Sequence, residues 1–102
     1  MRYLLFRKDR PRMAATRAEL QPAHAAYQKR FLPLIVYGGG LMGDAIDTSG
    51  MVDIRDVTGN ILVFGADRAT VEDFHKNDPY TKVDLFEAAY VEAVWQRVPA
   101  ID

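Results

Sequence analysis

Apolar residues fall along this chain in short runs, and the spacing inside each run predicts an element. Tyr3 to Phe6 is apolar and breaks off at Arg7-Lys8-Asp9-Arg10-Pro11, which predicts a buried first strand leading into a polar loop. Met13 to Leu20 predicts a helical turn or two. Pro22 then restarts or kinks the helix, since a first-turn proline gives up no bond that the helix needs, and this second piece ends before Pro33. Leu34 to Tyr37 predicts a second strand that Gly38-Gly39-Gly40 ends or bends. Leu41 to Thr58 has no clean period and predicts a loop with a turn at Asp47 to Gly50. Ile61 to Phe64 is apolar on both faces, as a central strand is. Asp67 is placed to N-cap a helix running through Asn77.

The last element, Leu85 to Val98, fits two periods. Phe86, Tyr90 and Val94 recur at helical spacing, but they also alternate as one side of a strand. The order β, α, β, β, α and one further element predicts an α+β, ferredoxin-like βαββαβ fold: a four-stranded antiparallel sheet with two helices on one face.

With 102 residues, the chain is expected to form a single domain over 1–102 with one core. Its 49% hydrophobic and 26% charged residues are ordinary globular composition. A net charge of -1 argues against a nucleic acid or an anionic membrane surface as partner. There is no cysteine, which excludes disulfides and thiolate nucleophiles. The opening residues hold only a four-residue apolar run between charges, far short of a signal core or a membrane span, so a cytoplasmic location is expected. Arg7, Lys8, Arg10 and Arg12 read as a solvated basic rim. The glycine run lacks the G-x-G-x-x-G arrangement, and two histidines with scattered aspartates do not specify a metal, so neither a cofactor nor a metal is expected.

Two residues break the helical stripes. Leu20, His24, Tyr27 and Phe31 are spaced four, three and four, so His24 interrupts an otherwise apolar and aromatic face. Val71, Phe74 and Asp78 form a second stripe, and Asp78 stands where Pro79 ends the helix. Two helices on one sheet face bring these stripes together, which makes His24 and Asp78 candidates for one hydrogen-bonded pair. His75 is expected to face solvent.

Four segments match a known family in sequence and in spacing: Met-Arg-Tyr-Leu-Leu-Phe at the start, Pro-Ala-His at 22 to 24, Gly-Gly-Leu-Met at 39 to 42 and Asp-Pro-Tyr at 78 to 80. In these the chain resembles the YCII-related family. The resemblance implies a strand for the final element, and a homodimer whose sheets form a dimeric α/β barrel, as in the muconolactone isomerase-like group. It also implies an active-site pair, His24 and Asp78. Where many relatives carry arginine before Pro-x-His this chain has Gln21, which brings hydrogen bonds but no charge; Arg17, one turn earlier, is the nearest cation that could replace it.

An imidazole oriented by a carboxylate moves protons, so the expected chemistry is general acid/base catalysis of isomerase or lyase type on a small, cyclic or phenolic metabolite. Tyr27, Tyr80, Gln21 and Arg17 are the candidate ligand-binding residues. The alternative is a non-catalytic small-molecule-binding or accessory dimer. Asp78→Asn is expected to keep the fold and reduce turnover, and the dimer contact is expected to draw on Phe86, Tyr90 and Trp95.

Overall fold

In the computed structural model, which describes residues 1–99, the alternation of the first strand runs on through its charged residues. Strand β1 (Arg2–Asp9) is longer than its apolar run because Leu5, Arg7 and Asp9 all point to one face and are all buried there. It is a central strand. The sheet order is β2-β3-β1-β4, every pair antiparallel, with β2 spanning Ile35–Met42, β3 Val57–Phe64 and β4 Phe86–Val94. This is the expected ferredoxin-like α+β fold, and the ambiguous last element is a strand.

Three boundaries differ from expectation. Helix α1 (Ala14–Lys29) is one continuous helix with Pro22 inside it rather than two pieces. Pro22 is exposed, where the group freed by its missing N–H can be hydrated. The glycine run neither ends nor interrupts β2: Gly38 lies opposite Leu62 and Gly40 opposite Asn60. A Cβ on Gly38 would sit 2.9 Å from Leu62 Cδ2, and one on Gly40 3.2 Å from Val57 Cγ1, so these positions stay bare because their neighbours fill the space. Strand β3 correspondingly starts at Val57, inside the stretch read as loop. The turn expected at 47 to 50 is present, with Ser49 N–H donating to Asp47 Oδ1 at 2.9 Å.

Helix α2 (Arg68–Asn77) begins at the predicted cap, Asp67, whose Oδ1 accepts from the Thr70 N–H at 2.9 Å. Asp78 follows and immediately caps a short third helix, α3 (Pro79–Lys82). The helices cover one sheet face, where Leu5, Leu62, Phe64, Val71 and Phe74 form the main core and Tyr27 and Phe31 pack against it. A smaller cluster of Tyr80, Leu85 and Phe86 lies under α3. Phe86 therefore does not belong to the outer face, contrary to expectation. The register shift between Lys8 and Asp9 puts an extra residue in β4 and turns Phe86 inward, while Tyr90 pairs with Phe6 on the opposite side. On that opposite face the register aligns Leu4, Phe6, Tyr37, Ile61, Val63 and Tyr90, and among the described residues no helix packs over them.

Gly59 faces Lys8 in the central pair with a φ of 159°, and a Cβ there would be driven into the backbone carbonyl of Arg7. Backbone cannot yield as a side-chain tip can. Gly59→Ala should lower unfolding stability by about 1–3 kcal/mol, read from urea denaturation. A loss within error of zero would show that β1 and β3 can separate at this point without cost.

Candidate functional site

Helix α1 presents Arg17, Gln21, His24 and Gln28 on the side turned toward β2 and β3, at the three- and four-residue steps that align one helix face. Together with Asn60, Tyr80 and the bare backbone of Gly38 to Gly40 they border a cavity of about 490 Å³. Leu32, Ile35, Ile54 and Leu62 make part of its wall apolar. The missing side chains at Gly38 and Gly40 leave the sheet side of this space open.

His24 and Asp78 meet at its edge. His24 Nδ1 is 3.0 Å from Asp78 Oδ1 and 2.9 Å from Oδ2. An ionised carboxylate can only accept, so Nδ1 carries the hydrogen and Nε2 is the nitrogen left for other partners. Asp78 is fully buried and takes two further contacts, from Arg7 Nη1 at 3.0 Å and from the Tyr80 backbone N–H at 2.9 Å. Burial opposes its ionisation, but the His24 hydrogen bond, the Arg7 charge and the Tyr80 N–H together outweigh it and hold the carboxyl below its ordinary value. The Tyr80 ring stacks on the His24 ring at 4.3 Å and 16°, fixing the plane of the imidazole.

Arg7 is the residue the sequence concealed. The run of basic residues predicts a solvated rim for it, yet it is 0% exposed. Its Nε donates to Asn60 Oδ1 at 3.0 Å and its guanidinium lies over the Phe86 ring at 4.4 Å. Burial works against its charged form, and Asp78 is the main group offsetting that. The available signal was alternation: Tyr3, Leu5, Arg7 and Asp9 share a face, so continuing the apolar strand by two steps places both charges inside. Asn60 follows from the same rule, two residues before Leu62. His75, expected in solvent, is half-buried, with Nδ1 3.3 Å from Arg7 Nη1.

Arg17 is also inside. Its Nε and Nη2 donate to the two oxygens of Asp9, both at 2.7 Å, and its guanidinium stacks over Tyr80 at 4.7 Å. The cation that could have replaced the missing arginine at position 21 is thus already paired. Gln21 borders the cavity, as does Tyr80, whose hydroxyl is pushed up by burial and stays protonated at neutral pH. Tyr27 is elsewhere: its hydroxyl donates to the Phe74 carbonyl at 3.0 Å, tying α1 to α2, and it does not border the cavity. Among the described residues no three His, Cys, Asp or Glu side chains converge as metal ligands would, and no helix is long and apolar enough to cross a membrane.

Comparison with known proteins gives the family and agrees with the fold. Residues 1–94 match the YCII-related domain. Among solved structures the chain is similar to 5-chloro-2-hydroxyhydroquinone dehydrochlorinase from Burkholderia phenoliruptrix, in complex with 2,5-dihydroxybenzoquinone, with 37% identity, 94% of each chain covered and a TM-score of 0.81. No curated protein matches.

The Arg7 contact changes what Asp78→Asn should do. An amide cannot neutralise the buried guanidinium, so the variant should lose about 3–5 kcal/mol of stability at pH 7 rather than simply keep the fold. Because the folded carboxyl titrates below its unfolded value of ~3.9, its stabilising contribution is present above that value and is lost as pH falls through the folded one. The gap between wild type and variant should therefore close in strong acid. Chemical denaturation of both proteins from pH 7 to pH 2 measures it, and a constant gap would exclude Asp78 ionisation as the cause.

Proposed function

The chain belongs to the YCII-related domain family, and on that premise we propose that it is a proton-transfer enzyme of lyase or isomerase type acting on a small polyhydroxylated ring. One observation carries this: a histidine whose Nδ1 is held by a buried carboxylate, at the edge of a cavity of about 490 Å³. His24 Nε2 is the general base, and Asp78 fixes its tautomer and plane together with the Tyr80 stack. Arg7 is a positioning residue that keeps Asp78 ionised and in place. Among the described residues no side chain fills the cavity, which disfavours a purely accessory role.

The similar solved structure supports the substrate class, being a dehydrochlorinase of a chlorinated hydroxyhydroquinone with a dihydroxybenzoquinone bound. Elimination from such a ring needs only proton movements. Removing a hydroxyl proton pushes an electron pair into the ring, and the carbon bearing chlorine is protonated to a keto tautomer. Loss of a second hydroxyl proton then expels chloride. The sum is substrate to hydroxyquinone plus H⁺ and Cl⁻, and no oxidant is consumed because the electron pair leaves with the halide. Gln21 and Asn60 offer amide groups to ring oxygens, while Arg17, matched by Asp9, contributes little net charge. A ring without a carboxylate suits this lining best.

Chloride release from 5-chloro-2-hydroxyhydroquinone should be detectable with the wild-type protein, and His24→Gln should reduce kcat/KM by about 10²–10⁴-fold. A variant as active as wild type would remove His24 from the chemistry.

The uncovered sheet face supports a homodimer. Leu4, Phe6, Tyr37, Ile61, Val63 and Tyr90 make it apolar, with Phe6 and Tyr90 rings 6.0 Å apart, and a copy of the same face is self-complementary about a twofold axis. Sedimentation at micromolar concentration should give twice the chain mass, and Tyr90→Arg should shift it toward monomer. A monomeric wild type would leave this face without a partner.

A further inference from the structure

A single nitrogen of Arg7 serves two acceptors. Nη1 lies 3.0 Å from Asp78 Oδ2 and 3.3 Å from His75 Nδ1, and it has two hydrogens to give. The second contact is a hydrogen bond only when His75 Nδ1 carries no proton, because a protonated Nδ1 would aim a donor and a positive charge at the guanidinium. We propose that neutral His75 is a positioning residue of the site, holding Arg7 Nη1 against Asp78, and that protonation of His75 withdraws Arg7 from Asp78 and so disturbs the seat of His24. Its consequence for turnover rests on the role proposed for His24; its structural part does not.

The surroundings supply both states. Among the described residues Arg7 Nη2 is buried without a hydrogen-bond partner, so the guanidinium has no second anchor at its tip and depends on the Nη1 contacts, the Asn60 bond to Nε and the Phe86 ring. Repulsion at 3.3 Å is therefore resolved by moving the tip. For the protonated imidazole an alternative partner is in reach: Thr81 Oγ1 lies 3.4 Å from the same Nδ1 and can accept from it. The charged groups around His75 are Arg7 from β1, Asp78 between α2 and α3, and Asp84 and Glu87 across a small depression that His75 shares with Thr81 and Phe86. Asp84 is taken up by Arg10 at 3.0 Å. Burial first, and then the Arg7 charge, keep the imidazole below its ordinary value against the opposing pull of Asp78. A histidine so depressed contributes stability above its unfolded value and loses it as pH falls through the folded one. The change thus belongs to pH below the ordinary imidazole midpoint of ~6.5.

The Arg7 Nε–H resonance reports the guanidinium directly. Between pH 8 and pH 5 it should shift in wild type in step with the ring protons of His75. In His75→Asn, which keeps an acceptor near the position of Nδ1 but cannot titrate, that step should vanish; His75→Gln gives a second non-titrating side chain should the first fail to fold. An Arg7 resonance that ignores the His75 titration, or that moves identically in the variant, overturns the proposal. Turnover gives an independent arm: in acid, kcat/KM should fall by up to about tenfold more per pH unit in wild type than in His75→Asn. Equal slopes also overturn it. Should His24→Gln retain full turnover, the catalytic role fails while the Arg7 resonance still decides the role of His75.

Discussion

A fully buried carboxylate, Asp78, dictates much of the architecture around it. Removing its charge from water would cost several kcal/mol if nothing answered it, and the chain answers with three donors from three places. Arg7 comes from the central strand, His24 from the first helix and the Tyr80 N–H from the turn that Asp78 itself caps. Each of these fixes a larger feature. The strand must carry a cation where a strand core normally carries an aliphatic residue. The second helix must stop at Asn77 so that the next N–H groups point back at the carboxylate, and Pro79 enforces the stop while serving as the first residue of the short helix that follows.

Charges entering the core in this way must come in balanced pairs. Arg7 with Asp78 and Arg17 with Asp9 are two such pairs, and β1 contributes one member to each from adjacent positions on the same face. The aromatic rings between them are shared: Phe86 lies under Arg7, and Tyr80 lies against both Arg17 and His24. A guanidinium stacked on a ring keeps its edge free for carboxylates, which is why arginine rather than lysine fits these places. Across the cavity from the helix, Gly38 and Gly40 complete the arrangement by contributing nothing, so the space beside His24 is bounded there by backbone.

The parts of this that were legible in the sequence share a cause. His24 and Asp78 stand out because a helix stripe is a strict period, and a polar residue on an apolar stripe is an anomaly that can be counted. The cap at Asp67 and the order of elements were legible for the same kind of local reason. The burial of Arg7, Asn60 and Arg17 was harder to read, since alternation gives a face but not the partner that lets a polar group stay inside: position 7 meets 60 and 78, and position 17 meets 9 across a turn. A charged residue after an apolar run reads as the end of a strand until its counter-charge is known. The glycine run misled for a related reason. Three glycines locally favour a bend, whereas here tertiary crowding from Leu62 and Val57 selects them inside a strand. Pro22 shows the converse, a local breaker overruled by the packing of a sixteen-residue helix.

Balanced charge around the cavity also bears on what the site can hold. With Arg17 matched by Asp9 and Arg7 by Asp78, a ligand entering from the Gln21 side meets amides, a phenol ring, an imidazole and peptide backbone, but no unmatched cation. A carboxylated molecule would have to give up its hydration without a counter-charge, a penalty that a neutral hydroxylated ring does not incur. On the role proposed for His24, a proton taken from such a ring would leave the imidazolium and the new oxyanion together as a pair within the site. That charge separation would add no net charge to the site, and a fixed environment of dipoles and matched ions stabilises it most.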